Sequence, residues 1–207
     1  MAKGTITSAV NVAGLTFNSQ LSQTEDAGMT QNFTLTVGQA GTLSTRTSGT
    51  VGTATLGVAH GITTGQTVDL YWVGGSRRGV TVGTVATLSV PFSLGSGDDL
   101  PIQTTAITFS PISEANMDFD AEDMQFLASM IAGSAGQLVF LTDADAEIAN
   151  FTLASNVALV WFTDNGFDNP IEDSSSSTTA VGKIRVSQSN VSAGKDFSLG
   201  ILYDAGA

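Results

Sequence analysis

Apolar residues in this chain recur at every second position, in short runs that glycine or proline brings to an end. Phe33-Thr34-Leu35-Thr36-Val37 alternates and stops at Gly38, and Val68-Asp69-Leu70-Tyr71-Trp72 alternates and stops before Gly74-Gly75. Val80-Thr81-Val82 resumes after Gly79, and Ile107-Thr108-Phe109 ends ahead of Pro111. Lys183-Ile184-Arg185-Val186-Ser187 carries two cations on its wet side, and Phe197-Ser198-Leu199-Gly200-Ile201 repeats the pattern near the end. A period of two puts one set of side chains on one face, which a strand over a core requires and a helix cannot use. The chain is therefore read as mainly β.

One segment departs from that period. Met124, Leu127, Ala128 and Ile131 fall at i, i+3, i+4 and i+7, the spacing of a helix face. Asp118 or Asp120 can cap its start, Glu122 and Asp123 suit the positive end of its dipole, and Gly133 stops it. The spacing predicts a helix over about 120–131, lying as a connector between two β units. The chain then divides into an N-terminal arm with first strands (1–45), a small Gly-rich β unit (46–112), a connector with the helix (113–133) and a second β unit (134–207). The polar run Ser174 to Thr179 reads as a loop tip.

Composition removes several classes of function. Seven Lys+Arg against 19 Asp+Glu give a net charge of −12, too few cations for a long phosphate-binding groove, so no nucleic acid is expected as a partner. Cysteine is absent, which excludes disulfide scaffolds, thiolate metal sites and Cys nucleophiles. A single histidine, His60, excludes a two-His metal site within one chain. No run of about 18 apolar residues suggests a membrane span, and the start of the sequence lacks the apolar run of a signal peptide. The expected product is soluble and made in a cytoplasm.

Few constellations carry chemistry. A hydrolase would pair His60 with Ser76 or Ser89 and an aspartate, but no Gly-x-Ser-x-Gly elbow is present; a turn-edge histidine capping backbone groups explains the residue as well. Carboxylates cluster at Asp118 to Asp123, Asp143 to Glu147 and Asp164 to Asn169. Asp143 to Glu147 fails the EF-hand pattern, because Ile148 stands where glycine is needed, and reads as a hairpin tip. Asp164 and Asp168 are the better calcium candidates, in a stretch whose Asn, Asp and Gly equally suit a plain turn. No carboxylate pair is singled out as a glycosidase pair. Arg77-Arg78, the only adjacent basic pair, can meet an acidic patch on a neighbouring copy or sit at a hairpin tip. Trp72 and Trp161 lie in strand-like runs and read as core packing before they read as a sugar platform. No catalytic residue, cofactor or firm metal site is assigned.

The stretch Gly57-Val58-Ala59-His60-Gly61-Ile62-Thr63-Thr64-Gly65-Gln66-Thr67-Val68-Asp69-Leu70-Tyr71-Trp72 resembles a His-Gly-apolar-x-x-Gly-x-x-Val module of virion structural proteins from tailed bacteriophages. It reads as a strand, a tight glycine turn and a returning strand of a small barrel. Val181 to Ser187, followed by Leu199 to Asp204, is similar to the closing strands of β-sandwich modules in the same kind of protein. The resemblance implies a small β-barrel unit plus a C-terminal β-sandwich, joined by the short helix and preceded by an extended N-terminal arm. It also implies a virion component, assembled in the host cytoplasm.

On this reading the chain is a non-enzymatic virion protein, most simply a head decoration or cement protein. A tail-tube or fibre component is the alternative within the class. A secreted adhesin or carbohydrate-binding module using Trp72 or Trp161, and a hydrolase using His60, are the competing classes. The expected partners are copies of the chain itself and other virion proteins. The arm, residues 1 to about 20, carries Ile6, Val10, Val12, Leu15 and Phe17 at roughly alternate spacing, so it is expected to add to a sheet edge of its own chain or a neighbour's. With Arg77 and Arg78 these are the interface candidates.

Overall fold

A computed structural model describes residues 6–12, 15–21, 26–162, 168–171 and 180–204, with the backbone alone for those up to 27. Strands follow one another through the chain: β1 Ile6–Val12, β2 Leu15–Leu21, β3 Asp26–Thr34, β4 Gln39–Arg46, β5 Val51–Leu56, β6 Thr67–Trp72, β7 Gly75–Val82, β8 Ser89–Ser93 and β9 Ser96–Gly97. They continue as β10 Ala106–Pro111, β11 Ser113–Asp120, β12 Met124–Ile131, β13 Gly136–Leu141, β14 Glu147–Leu153, β15 Leu159–Phe162, β16 Ala180–Gln188 and β17 Asp196–Asp204. The fold is mainly β, as the alternation implies.

Two compact units emerge, and both are discontinuous in sequence. One is built from Leu35–Ser113 and Ser187–Lys195, the other from Met1–Thr34, Glu114–Val186 and Asp196–Ala207. The compact units thus do not follow the consecutive segments 1–45, 46–112, 113–133 and 134–207 expected from the sequence.

The first unit is a six-stranded antiparallel barrel. Its order is β6-β10-β4-β5-β8-β7, and β7 pairs back onto β6 to close it, while β9 adds to β7. The period-two runs fill the interior: Val68 and Leu70, Val80 and Val82, Val90 and Phe92, Ile107 and Phe109, Ala54 and Leu56 are all buried. Phe92 and Phe109 meet edge to face, with ring centroids 5.4 Å apart. Register shifts at Leu43/Thr45 and Val68/Leu70 supply the bends that closing so small a barrel demands.

The second unit holds two four-stranded sheets, β11-β16-β13-β14 and β15-β12-β17-β3. In the latter every pair is antiparallel. Register sorts its side chains into two faces. Leu127, Ile131, Phe197, Leu199 and Ile201 lie on one face, where the rings of Phe33 and Phe197 meet at a tilt of 45° with centroids 5.1 Å apart; Phe126, Ala128, Met130 and Leu202 lie on the other.

The expected helix over 120–131 does not form. A single 3-10 turn at Ala121–Asp123 is followed by β12, whose residues are buried at every position except Gln125. A strand buried on both faces is apolar at nearly every residue, so some of its residues must also fall at helical spacing. Eight residues suit a strand, and pairing with β15 and β17 decides the matter.

The extended arm is likewise corrected. β1 and β2 pair with each other in a two-stranded ribbon, in the register Val10↔Phe17 and Val12↔Leu15. The side chains of Ile6, Val10, Val12, Leu15 and Phe17 lie outside the described residues.

Candidate functional site

The barrel carries an open depression of roughly 410 Å³ on the wall formed by β6, β10 and β4. Register creates it: Thr108 stands opposite Tyr71 on one side and Ala40 on the other, and Ile107 stands opposite Gly41. The small residues Ala40, Gly41 and Ala106 leave the hollow, while Tyr71, Trp72, Val73 and Val191 rise around it. Val73, at the β6–β7 turn, is 99% exposed, and Val191 is 44% exposed. Trp72 lies flat across Gly75, where an added Cβ would come within 2.7 Å of the indole nitrogen. Trp72 packs partly against the barrel core and partly borders the depression.

Beneath this surface runs a buried polar chain that no local sequence signal announces. The Ser187 hydroxyl donates to the Asp69 carboxylate, and the Tyr71 hydroxyl lies 2.6 Å from Ser187 Oγ. Because Ser187 has one proton and spends it on the carboxylate, Tyr71 is the donor of that second bond. Asp69 also accepts the Gly79 N–H at 2.8 Å. Next to Ser187, the Gln188 amide donates to the carbonyls of Leu35 (3.1 Å) and Thr36 (2.8 Å). These bonds fasten the return segment 187–195 to the barrel. Ser187 is fully buried, so its hydroxyl is a structural link and not an accessible nucleophile. The depression thus offers aromatic and aliphatic contact area, and the polar groups beneath it are engaged in holding the fold.

The residues singled out in the sequence are dispersed. His60 accepts the Ile62 N–H at Nδ1 (3.0 Å), which leaves Nε2–H to donate to the Thr87 carbonyl at 3.2 Å. Both ring nitrogens cap backbone groups, and neither bonds Ser76 or Ser89. Arg77 is not a surface cation. It is 7% exposed, and its guanidinium donates to the carbonyls of Leu94 (2.8 Å), Gly95 (2.7 Å), Gly97 (3.3 Å) and Asp98 (2.9 Å). This takes Arg77 out of the set of interface candidates, while Arg78 stays half-buried on the same strand.

Asp143 to Glu147 forms a β13–β14 hairpin tip, and Asp145 pairs with Lys183 and Arg185, each at 2.8 Å. Arg185 also meets Glu114 at 2.6 Å. The hydrogen bond from Lys183 holds the Asp145 carboxyl below its ordinary pKa. Burial, then the charges of Asp120 and Asp204, push Asp123 upward. Asp164 lies outside the described residues, and Asp168 is exposed. Among the described residues no group of three or more His, Asp or Glu gathers to hold a metal ion. Trp161 is buried, at 8% exposure.

No family model and no curated protein matches this sequence. One solved structure that it resembles is titled "Structure of infectious bursal disease virus Gx strain". The likeness covers 87% of this chain and 72% of that one, at 10% identity and a TM-score of 0.23. A superposition at that level establishes no common architecture.

Proposed function

We propose that the chain is a non-enzymatic structural protein of a tailed-bacteriophage virion, a head decoration or cement protein that joins copies of itself and other virion proteins. The observation that carries this reading is the barrel wall. Its depression is open and edged by Tyr71, Trp72, Val73 and Val191, while the buried Asp69 and Ser187, joined by the Tyr71 hydroxyl, serve to fasten the chain. Apolar area without convergent reactive groups suits a permanent protein contact. The segment 57–72, which resembles the phage module, supplies β6 and the turn leading into it, and so builds part of that wall.

Negative-stain microscopy of phage particles with a labelled antibody tests the reading directly. Label on heads supports decoration or cement, label on tails moves the protein to a tube or fibre, and unlabelled particles reject a virion role. A carbohydrate-binding module is the second reading, favoured by the placement of Tyr71 and Trp72 on one rim. It requires sugars to perturb tryptophan fluorescence in the wild type and not in Trp72→Ala.

A further inference from the structure

The β6–β7 turn consists of Val73 and Gly74, between the paired Trp72 and Gly75. Val73 is 99% exposed, more than any other large apolar side chain among the described residues. Gly74 adopts φ +90° and has open space where a Cβ would stand, so the tip of the turn is a slim apolar wedge.

The wedge stands beside a hollow. Because β6 and β10 run antiparallel with Tyr71 opposite Thr108, Val73 lies toward Ala106, at the start of β10. The return segment bounds the other end: the Gln188 N–H donates to Ser110 Oγ at 3.1 Å, and the Asn190 carbonyl accepts the Gly38 N–H at 2.8 Å. Val191 therefore rises at the end remote from Val73, with the short side chains of Ala40 and Ala106 between them. Both alanines are exposed. Among the described residues that line the depression none is charged, although the chain carries −12. Copies of so acidic a chain repel one another, and they approach most easily where carboxylates are missing.

A patch that holds a wedge and a hollow side by side is complementary to itself. A half-turn about an axis between the two places each wedge in the other's hollow, which is the geometry of an isologous contact. Resting on the reading of this wall as a protein contact, we propose that it closes a two-fold dimer, in which Val73 of each copy enters the depression of the other between Trp72 and Val191. The aromatic rim then becomes the dry centre of the interface, with Thr108 and Ser189 at its polar margin. A patch of this extent holds two free copies weakly, and the local concentration within an assembly strengthens the contact.

Purified full-length protein is followed by sedimentation equilibrium up to millimolar concentration. The expected result is a reversible species of twice the 21.2 kDa chain mass and nothing larger. A monomer at every concentration refutes the dimer and leaves the hollow to another virion protein or a sugar. Mass that keeps rising beyond two copies refutes the two-fold closure. Val73→Lys and Ala106→Glu each place an unpaired charge in the contact and should weaken it at least about tenfold. Both positions are exposed, so unfolding midpoints should stay at the wild-type value. Dimerisation of either variant at wild-type strength overturns the proposal. Mixing the two variants should restore a 1:1 dimer, because one half of the contact is then wild type and the other pairs Lys with Glu; a mixture no stronger than the separate variants also overturns it. Labelled phage heads with strictly monomeric protein would reject this dimer and keep the virion reading. A dimer lost in Val73→Lys, with unlabelled particles, would do the reverse.

Discussion

Replacing Arg77 by alanine tests whether the barrel depends on a buried cation that bonds only to backbone. The guanidinium reaches four carbonyls on 94–98, two of them at 2.8 Å or closer. Hydrogen bonds to a charged group each contribute about 1.5–3 kcal/mol net, which would total roughly 6–12 kcal/mol if they added. Two effects reduce that sum. Burying a guanidinium costs several kcal/mol, a cost that disappears with the side chain. The loop around the acceptors is also largely exposed at Leu94, Ser96, Gly97 and Asp98, so water can replace part of what is lost. The expected net loss is about 3 kcal/mol, the scale on which breaking one buried charged partner destabilises a protein. With a urea slope of about 1–3 kcal/mol/M, the unfolding midpoint should fall by roughly 1–3 M at unchanged slope. Arg77→Lys should recover less than half, because an ammonium cannot span the fork that the guanidinium fills. A loss of about 1 kcal/mol or less in Arg77→Ala would refute the argument, since one such bond alone is worth more.

Three further outcomes follow from the same structure. Ser187→Ala removes the hydroxyl between Asp69 and Tyr71 and should destabilise the protein by about 1–3 kcal/mol in urea; an unchanged midpoint would show that the buried chain contributes nothing. Gly182→Ala would place a Cβ 2.1 Å from Asp143 Oδ1 and 2.7 Å from its backbone nitrogen, so a loss of about 1–3 kcal/mol is expected, and Asp143→Ala should relieve it only in part because the backbone contact remains. Asp145 is held below its ordinary pKa of 3.8 by Lys183, so its contribution is complete above that value and is lost as pH falls through the lower folded-state value. Lys183→Met should therefore raise the Asp145 midpoint in an NMR titration, and an unmoved midpoint would exclude the ion pair as the cause.

The runs containing Val68, Val80, Ile107, Ile184 and Phe197 were legible as strands because apolar and other residues alternate in them and the apolar set is buried. β12 was not, because a strand covered on both faces carries no alternation. Phe33 to Val37 alternates without a break, yet β3 ends at Thr34 and the chain passes into the other unit at Leu35. Arg77 read as a hairpin-tip cation because glycines flank its segment. Gly95, on the separate loop after β8, adopts φ +79°, and a Cβ there would lie 2.5 Å from the Arg78 carbonyl; this close approach brings the loop's carbonyls around the guanidinium. The link from Asp69 to Ser187 spans 118 residues and pairs two ordinary strand residues, so nothing local distinguished it.

The interleaving of the two units has a consequence for synthesis. The barrel segment opens at Leu35, but the Gln188 side chain that grips the Leu35 carbonyl is 153 residues further on. A ribosome adding about 5–20 residues per second needs roughly 8–30 s to make that stretch. Throughout that interval the emerging barrel lacks its fastening segment, and the sheets of the other unit lack β17, the strand between β12 and β3. Neither unit can be finished until the stretch 187–204 has left the exit tunnel, so neither is completed on its earlier segments alone.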